Sequence, residues 1–146
     1  MTSAIKKTKR VAFTWDKDYA KPTVDDLKDQ LRKITKRTVS SKEIFMLCLG
    51  IGFDQNCMRD VPPRKSDAIR FGDGITESDF ALYNSIALSF TKDYLILLDE
   101  DAVYDIVERY AAGGLMILSK EMNSQPDFNY WLKTLLYRRV ESVLSN

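Results

Sequence analysis

Apolar residues recur every three or four positions along most of the chain, and this spacing predicts a series of amphipathic α-helices. The second of them is apolar on nearly all sides, which is typical of a helix at the centre of a core or in a subunit interface. The last carries a wide apolar stripe opposite a polar face. The predicted helices begin at Pro22-Thr23 and then run over Lys42 to about Phe53, Thr76-Asp79 to about Phe90, Asp101 to Met122, and Asp127 to Val143.

Polar residues with capping geometry precede three of these helices, and turn residues separate them. The capping signals are an N-cap at Thr23 and two capping boxes, Ser40-x-x-Glu43 and Thr76-x-x-Asp79. Residues 54–75 are predicted to be a basic loop, because Pro62-Pro63 excludes a regular helix and Gly72-Asp73-Gly74 favours a turn.

The sequence pattern does not decide the secondary structure of three short segments. Val11–Trp15 is β-prone and predicts one edge strand or an arm packed on the body. Tyr94–Leu98, a run of five apolar residues, fits a short buried helix or a strand. Gly113-Gly114 falls inside the fourth helix, so either the helix breaks there or another backbone packs tightly against it.

These patterns predict a mainly α fold, a compact single-domain bundle of about five helices with a short N-terminal β-strand or arm. The helical domain is expected to span residues 11–146. Residues 1–10 carry four cations and little to bury, and they are predicted to form a flexible basic tail.

The composition narrows the chemistry that the chain could support. It contains 146 residues, 45% of them apolar and 29% charged, which is typical of a globular protein. There is no histidine, so catalytic pairs that need an imidazole base are excluded, and only carboxylate or lysine chemistry remains open. Cys48 and Cys57 are expected to stay reduced. No cofactor, metal or membrane segment is expected, and a cytoplasmic location is the default interpretation.

Charge is distributed unevenly along the chain despite a net charge of only +1. Residues 1–70 have 16 basic and 9 acidic residues, whereas residues 71–146 have 6 and 12. The two halves could form surfaces for different partners, or folding could interleave them and cancel the difference. The sequence leaves both alternatives open.

A set of basic residues is the candidate contact surface for nucleic acid or an acidic partner. Two helices joined by a short polar connector are similar to a helix-turn-helix, but the second helix is too apolar to lie in a major groove. Phosphate contact by the tail and loop is therefore favoured over base reading. The candidate contacts are Lys6, Lys7, Lys9, Arg10, Lys36, Arg37, Arg59, Arg64, Lys65 and Arg70.

The acidic run Asp99-Glu100-Asp101 raises a nuclease hypothesis, in which Asp99, Asp101 and Glu108 would hold Mg²⁺. A catalytic lysine would be expected shortly after such acids, but the nearest downstream lysine is Lys120. Acids that stabilise the N-terminus of a helix are the favoured interpretation.

Three stretches carry a resemblance to a known family. They are Ile44–Phe53 followed by a basic loop and Ile69-Arg70-Phe71, then Ile86-Ala87-Leu88, and most specifically Val107–Leu118, which matches the pattern Glu-x-Tyr-Ala-x-Gly-Gly-Leu-x-x-Leu. On these stretches the chain resembles the small proteins encoded beside DNA phosphorothioation genes, the phosphorothioation-associated protein 4 type. Ala112 stands where that pattern usually has Asn. The resemblance implies an accessory role in modification-linked defence against phage DNA and supplies no active site.

We therefore expect a non-catalytic accessory subunit of a prokaryotic phage-defence or DNA-modification system. Its acidic C-terminal half would dock a larger protein subunit, and its basic tail and loop would contact double-stranded DNA or an acidic surface. Homo-oligomer formation is a further expectation. A self-standing DNA-binding regulator and a Mg²⁺-dependent nuclease are the alternatives. The residues expected at a protein interface are Tyr110, Gly113, Gly114 and Trp131.

Overall fold

A computed structural model describes residues 7–62 and 65–145, without the side chains of Lys17, Tyr19 and Lys65. The described residues form five α-helices, one 3₁₀ helix and a two-stranded antiparallel sheet, which confirms the predicted mainly α fold. In chain order the elements are β1 (Ala12–Asp16), α1 (Lys17–Thr35), α2 (Ser41–Asp54), β2 (Lys65–Arg70), α3 (Glu77–Thr91), the 3₁₀ helix (Tyr94–Leu98), α4 (Glu100–Ser124) and α5 (Phe128–Ser145).

The backbones of α2 and α4 lie against each other at the centre of the fold. A Cβ added at Gly52 would lie 1.9 Å from the carbonyl oxygen of Tyr110, and one added at Gly114 would lie 1.7 Å from that of Cys48. Gly113 faces the Cys57 carbonyl in the same way, at 2.1 Å. Helix α4 is therefore continuous through its glycine pair, and the close-packing alternative is confirmed. The predicted central position of α2 is also confirmed.

An aromatic cluster joins β1 to three helices around this contact. The Phe13 ring is fully buried and stacks on Phe45 of α2, with ring centroids 4.7 Å apart. It meets Tyr83 of α3 and Tyr104 of α4 edge-on, at 5.1 and 5.5 Å. Because edge and stacked geometries both suit aromatic quadrupoles, the strand is a structural part of the core.

Two boundaries differ from the sequence predictions. Helix α1 begins at Lys17, so Pro22 and the buried Thr23 lie inside it and Thr23 is not its N-cap. Here the helix continues directly from β1, and Asp16 Oδ1 accepts the backbone N–H of Asp18 at 3.0 Å. The predicted loop over 54–75 contains β2, whose Ile69 pairs with Phe13 of β1. This pairing joins residues more than fifty positions apart, which local turn signals do not report.

The two capping boxes predicted from the sequence are confirmed. The capping boxes Ser40–Glu43 and Thr76–Asp79 are both present, at the starts of α2 and α3. Tyr94–Leu98 forms a 3₁₀ helix instead of a strand, and each of its five residues is at least partly exposed, so the expected burial is wrong.

The predicted division into a tail over 1–10 and a domain over 11–146 stays a prediction. Residues 1–6 lie outside the described residues. Of the remaining tail residues, Thr8 and Arg10 both bond to side chains of α4. In the part of the chain that the structure describes, no helix has the length and apolar character needed to span a membrane.

The close approach of α2 and α4 predicts opposite effects for two glycine substitutions. We expect Gly114→Ala to lower the free energy of unfolding by about 3 kcal/mol or more, because its methyl group would overlap a backbone carbonyl. Gly50→Ala is the matched control: Gly50 is exposed in α2, and its added Cβ meets none of the described atoms within 4 Å. It should raise stability by up to about 1 kcal/mol. Urea unfolding in dilute solution measures both, and equal stability of Gly114→Ala and wild type would contradict the packing.

The Glu43 carboxylate predicts a specific loss of stability in acid. Hydrogen bonds from Arg37 and then from the Ser40 backbone lower the pKa of Glu43 to about 2, whereas an unfolded chain has about 4.3. Its contribution is therefore present above pH 4.3 and lost as the pH falls towards 2. Glu43→Gln keeps the reach of the capping box but does not titrate, so its stability should decline less between pH 5 and pH 2.5. Urea titrations across this range measure the slope, and Glu141→Gln, at an exposed position of α5, serves as control. Parallel slopes for wild type and Glu43→Gln would contradict the assignment.

Candidate functional site

The Arg10 guanidinium lies beside α4, within ion-pair distance of three carboxylates of that helix. Its Nη1 is 2.6 Å from Glu108 Oε1, its Nη2 bonds to Asp105, and its Nε lies 3.6 Å from Asp101 Oδ1. The acids at 101, 105 and 108 lie on one face of α4, because their spacing follows the helical repeat. Burial would lower the pKa of Arg10, but the attraction of Glu108 and the hydrogen bonds that Arg10 donates to Asp105 and Glu108 raise it overall.

Glu108 is the buried acid of this network, with 4% of its side chain exposed. Its Oε2 accepts the Thr14 hydroxyl at 2.8 Å and also the Thr14 backbone N–H. Each oxygen of Glu108 therefore has a partner from the segment that contains β1. A buried carboxylate with these partners is a structural anchor for the strand.

The remaining acids near the start of α4 also bond within the chain. Asp99 accepts the Ala102 N–H at 3.2 Å as the N-cap, and Asp101 accepts the Thr8 hydroxyl. Glu100 accepts the Thr8 N–H at 3.1 Å and the Tyr104 hydroxyl at 3.3 Å. Within residues 7–62 and 65–145, no group of three or more His, Cys, Asp or Glu is placed to hold a metal ion.

Several predicted basic contacts are paired with carboxylates of the same chain. Besides Arg10, Arg37 bonds to both oxygens of Glu43, and Arg70 lies 3.8 Å from Asp67. Arg59 donates its backbone N–H to the Arg109 carbonyl at 2.9 Å. Lys7, Lys9 and Lys36 are exposed, Lys6 and Arg64 lie outside the described residues, and Lys65 is described only as part of β2.

Ion pairs also connect the basic and acidic halves of the sequence. Lys42 Nζ lies 2.7 Å from Asp79 Oδ2, at the start of α3. In the other direction, acids of the first half meet arginines of the second half. Together with the Arg10 network, these pairs favour the alternative in which folding interleaves the two halves.

The residues expected at a protein interface are mostly interior. Tyr110 is 3% exposed, and Gly113 and Gly114 are buried against Cys57 and α2. Their burial is explained by packing within this chain. Trp131 is partly exposed and stacks on Phe128, with centroids 5.7 Å apart, so its role at an interface stays a prediction.

Two exposed apolar surfaces lie elsewhere. The first, the 3₁₀ surface, consists of Phe90, Tyr94, Leu95 and Leu97, whose exposures run from 37% to 77%. The second is formed by α5 and has two parts. Its α5 stripe consists of Leu136, Val140, Val143 and Leu144. Its α2–α5 groove of about 570 Å³ is lined mainly by Met46, Leu47, Ile51, Phe53, Leu135 and Leu136.

Tyr110 lies between these surfaces. Its ring meets Phe53 of the groove edge-on at 5.4 Å and Phe90 of the 3₁₀ surface edge-on at 6.0 Å. The buried Tyr110 ring thus packs against one residue of each surface from the interior of the protein. Sequence patterns alone did not identify either surface, because an apolar side chain gives the same signal whether its helix face is covered or exposed.

A comparison of the sequence with models of known families gave a match. The model of the DNA sulphur modification system-associated protein 4 family matches residues 17–144. The chain belongs to this family. Comparison with curated proteins and with solved structures gave no match. The resemblance seen in the sequence is therefore confirmed, and the family is associated with DNA sulphur modification systems.

In this member of the sulphur modification system-associated protein 4 family, residues outside the match complete the core. The match begins at Lys17, whereas Arg10, Phe13 and Thr14 precede it. Two of these residues bond to Glu108, and Phe13 occupies the centre of the aromatic cluster. The segment from residue 7 to residue 16 is thus part of the folded structure of this family member.

The buried Arg10–Glu108 pair predicts non-additive mutational effects. Arg10→Met should lower the free energy of unfolding by about 3 kcal/mol, because it leaves the Glu108 charge buried without its cation. In that background Glu108→Gln should restore part of the loss, since no uncompensated charge then remains. Urea unfolding of the two single mutants and the double mutant gives the coupling energy.

A surface pair provides the control for this cycle. Arg32 lies 3.5 Å from Asp29, and both side chains are 65% exposed. Arg32→Met should therefore change stability by no more than about 0.5 kcal/mol. Strictly additive effects at Arg10 and Glu108 would contradict the buried network.

Proposed function

We propose that the protein is a non-catalytic accessory subunit of a DNA sulphur modification-linked system and binds a larger protein through its 3₁₀ surface. Membership of the family supports the system. The observation that carries the surface is that the apolar run Tyr94–Leu98 lies at the surface, with each of its five residues at least partly exposed. Tyr94 and Leu95 are 77% and 68% exposed.

Neighbouring residues fix this surface in place. Lys92 ends α3 with a left-handed backbone, φ 59°, and donates its N–H to the Leu88 carbonyl at 2.8 Å. Asp93 then caps the 3₁₀ helix by accepting the Leu95 N–H at 3.0 Å. Because the backbone is already held by these bonds, binding would order few additional residues, and the apolar side chains would contribute their burial to affinity.

Energetics favour a protein as the partner. Burying a large aliphatic or aromatic side chain contributes about 1.5–3 kcal/mol, and contiguous exposed apolar surface is typical of protein interaction sites. Acids flank the run at Asp93 and Asp99 and would repel a phosphate backbone. A partner with an apolar pocket and a basic rim would complement this surface. This agrees with the expectation that the acidic half docks the larger subunit.

The charge arrangement argues against DNA as the principal partner. Non-specific DNA affinity depends on cations that can release counterions from phosphates. Arg10, Arg37 and Arg70 are each engaged by carboxylates of the chain, so a phosphate would have to displace these partners. The exposed Lys7, Lys9 and Lys36 remain the candidate contacts for a secondary role of DNA.

Co-purification from the native host tests the proposal. Tagged wild type is isolated with and without nuclease treatment, and bound proteins are identified by mass spectrometry. We expect a stoichiometric protein of the sulphur modification system that survives nuclease. Leu95→Glu should reduce its recovery at least about tenfold, because a charge would enter the apolar contact.

A matched control separates this surface from general effects of an added charge. Val11 is 60% exposed and lies outside both apolar surfaces, so Val11→Glu should recover the partner like wild type. Recovery of nucleic acid alone, lost at high salt, would contradict the proposal and favour the DNA-binding regulator. Undiminished recovery by Leu95→Glu would exclude the 3₁₀ surface.

A further inference from the structure

The second apolar surface points to self-association. We propose that two copies of the chain associate in an antiparallel manner through α5, with the α5 stripe of each copy lying in the α2–α5 groove of the other. This interface is separate from the 3₁₀ surface, so the two proposals can fail independently.

Helix α5 changes character half-way along its length. Its first half packs on the body through the buried Phe128 and Leu132. From Leu136 to Ser145 every residue is exposed, a length of about 15 Å of helix. The stripe residues in this half are spaced i, i+4, i+7 and i+8, the pattern by which an amphipathic helix binds in an apolar groove. Val143 and Leu144 are 73% and 80% exposed.

The groove beside this helix is suited to receive such a stripe. Its lining is mostly aliphatic and includes Met46, whose flexible side chain adapts to an incoming group. Gly50 lies in the wall formed by α2, and a Cβ there would meet no described atom within 4 Å. In contrast to Gly52 and Gly114, this glycine is not required by packing within the chain. It leaves room for the close approach of a second helix.

Symmetry favours a second copy as the occupant. The stripe and the groove are adjacent on one molecule and share Leu136, so one two-fold axis can bring each stripe to the opposite groove. Such a symmetric dimer would bury the α5 stripe and the α2–α5 groove of both copies. The two α5 helices would run antiparallel, so their dipoles would point in opposite directions. A non-symmetric partner would need its own stripe and its own groove to achieve the same cover.

Electrostatics do not oppose this pairing. The charged residues at the edge of the groove, Asp54 and Arg139, form an ion pair with each other. A second copy would therefore meet a neutral edge and an uncharged stripe. The remaining charges in the exposed half, Arg138 and Glu141, are of opposite sign and lie away from the stripe in the helical repeat.

The size of the surface sets the strength of the dimer. Stripe and groove together provide about ten residues per copy, whereas a standard stable interface has about 20–30. The association should therefore be weak, with a dissociation constant of about 10–500 µM. Dimers would dominate only in concentrated solution or when a further contact holds the two copies together.

Sedimentation equilibrium of the full chain from about 5 µM to about 1 mM tests the proposal. Wild type should convert from monomer to dimer across this range. Val140→Glu, at a 55% exposed stripe position, should weaken the dimer at least about tenfold. Gly50→Leu should do the same by filling the groove, and it should keep or raise helix stability because leucine is the better helix former.

Variants outside the stripe and groove show which surface mediates dimerisation. Val11→Glu and Leu95→Glu should dimerise like wild type, since both positions lie outside the stripe and groove. Circular dichroism confirms that each variant is folded. A wild type that stays monomeric at 1 mM, or a dimer that persists in both Val140→Glu and Gly50→Leu, would overturn the proposal. Loss of the dimer in Leu95→Glu would also overturn it and assign self-association to the 3₁₀ surface.

Discussion

The contact on which the structure depends is the close approach of the α2 and α4 backbones. Gly52 and Gly114 face backbone atoms of the opposite helix, and at each position a methyl group would overlap a carbonyl oxygen. Because the helices approach so closely, Ile44, Cys48 and Leu118 are fully buried around the contact. The aromatic cluster and the two-stranded sheet then cover one side of this helix pair. A bulkier residue at either glycine would separate the helices and open the core.

This constraint explains the motif Glu-x-Tyr-Ala-x-Gly-Gly-Leu-x-x-Leu, on which the sequence resemblance chiefly rested. In the stretch from Glu108 to Leu115, the acid anchors β1 through Arg10 and Thr14, and Tyr110 supports residues of both exposed surfaces. Gly113 and Gly114 admit Cys57 and α2. Each of these roles maintains the architecture. Membership of the family therefore indicates an association with DNA sulphur modification systems, and the side chains that would contact a partner must be sought on the surface.

The features that the sequence predicted correctly depend on neighbouring residues. The capping boxes at Ser40 and Thr76 and the helical repeat of α4 each act within one or two turns. The features that it missed depend on contacts distant in sequence. Strand β2 is defined by its pairing with β1, and the partners of Arg10 lie more than ninety positions away. Burial of Tyr94–Leu98 was predicted from its apolar character alone. The charged residues on both sides of that run were a local sign that it remains at the surface.

The distribution of charge and apolar surface would allow a small chain to bind a second copy and a larger partner at the same time. Several of its arginines pair with carboxylates of the same chain, while large apolar side chains remain exposed on two separate surfaces. A dimer built on α5 would present two 3₁₀ surfaces, and a partner that binds both would hold the copies together. Because the two binding equilibria are linked, partner binding would raise the affinity of the dimer, and dimer formation would raise the affinity for the partner. A weak dimer and a modest partner contact could therefore together give a stable assembly. Under this arrangement the dimer forms chiefly where the partner is present, which suits a subunit whose function depends on the larger machine.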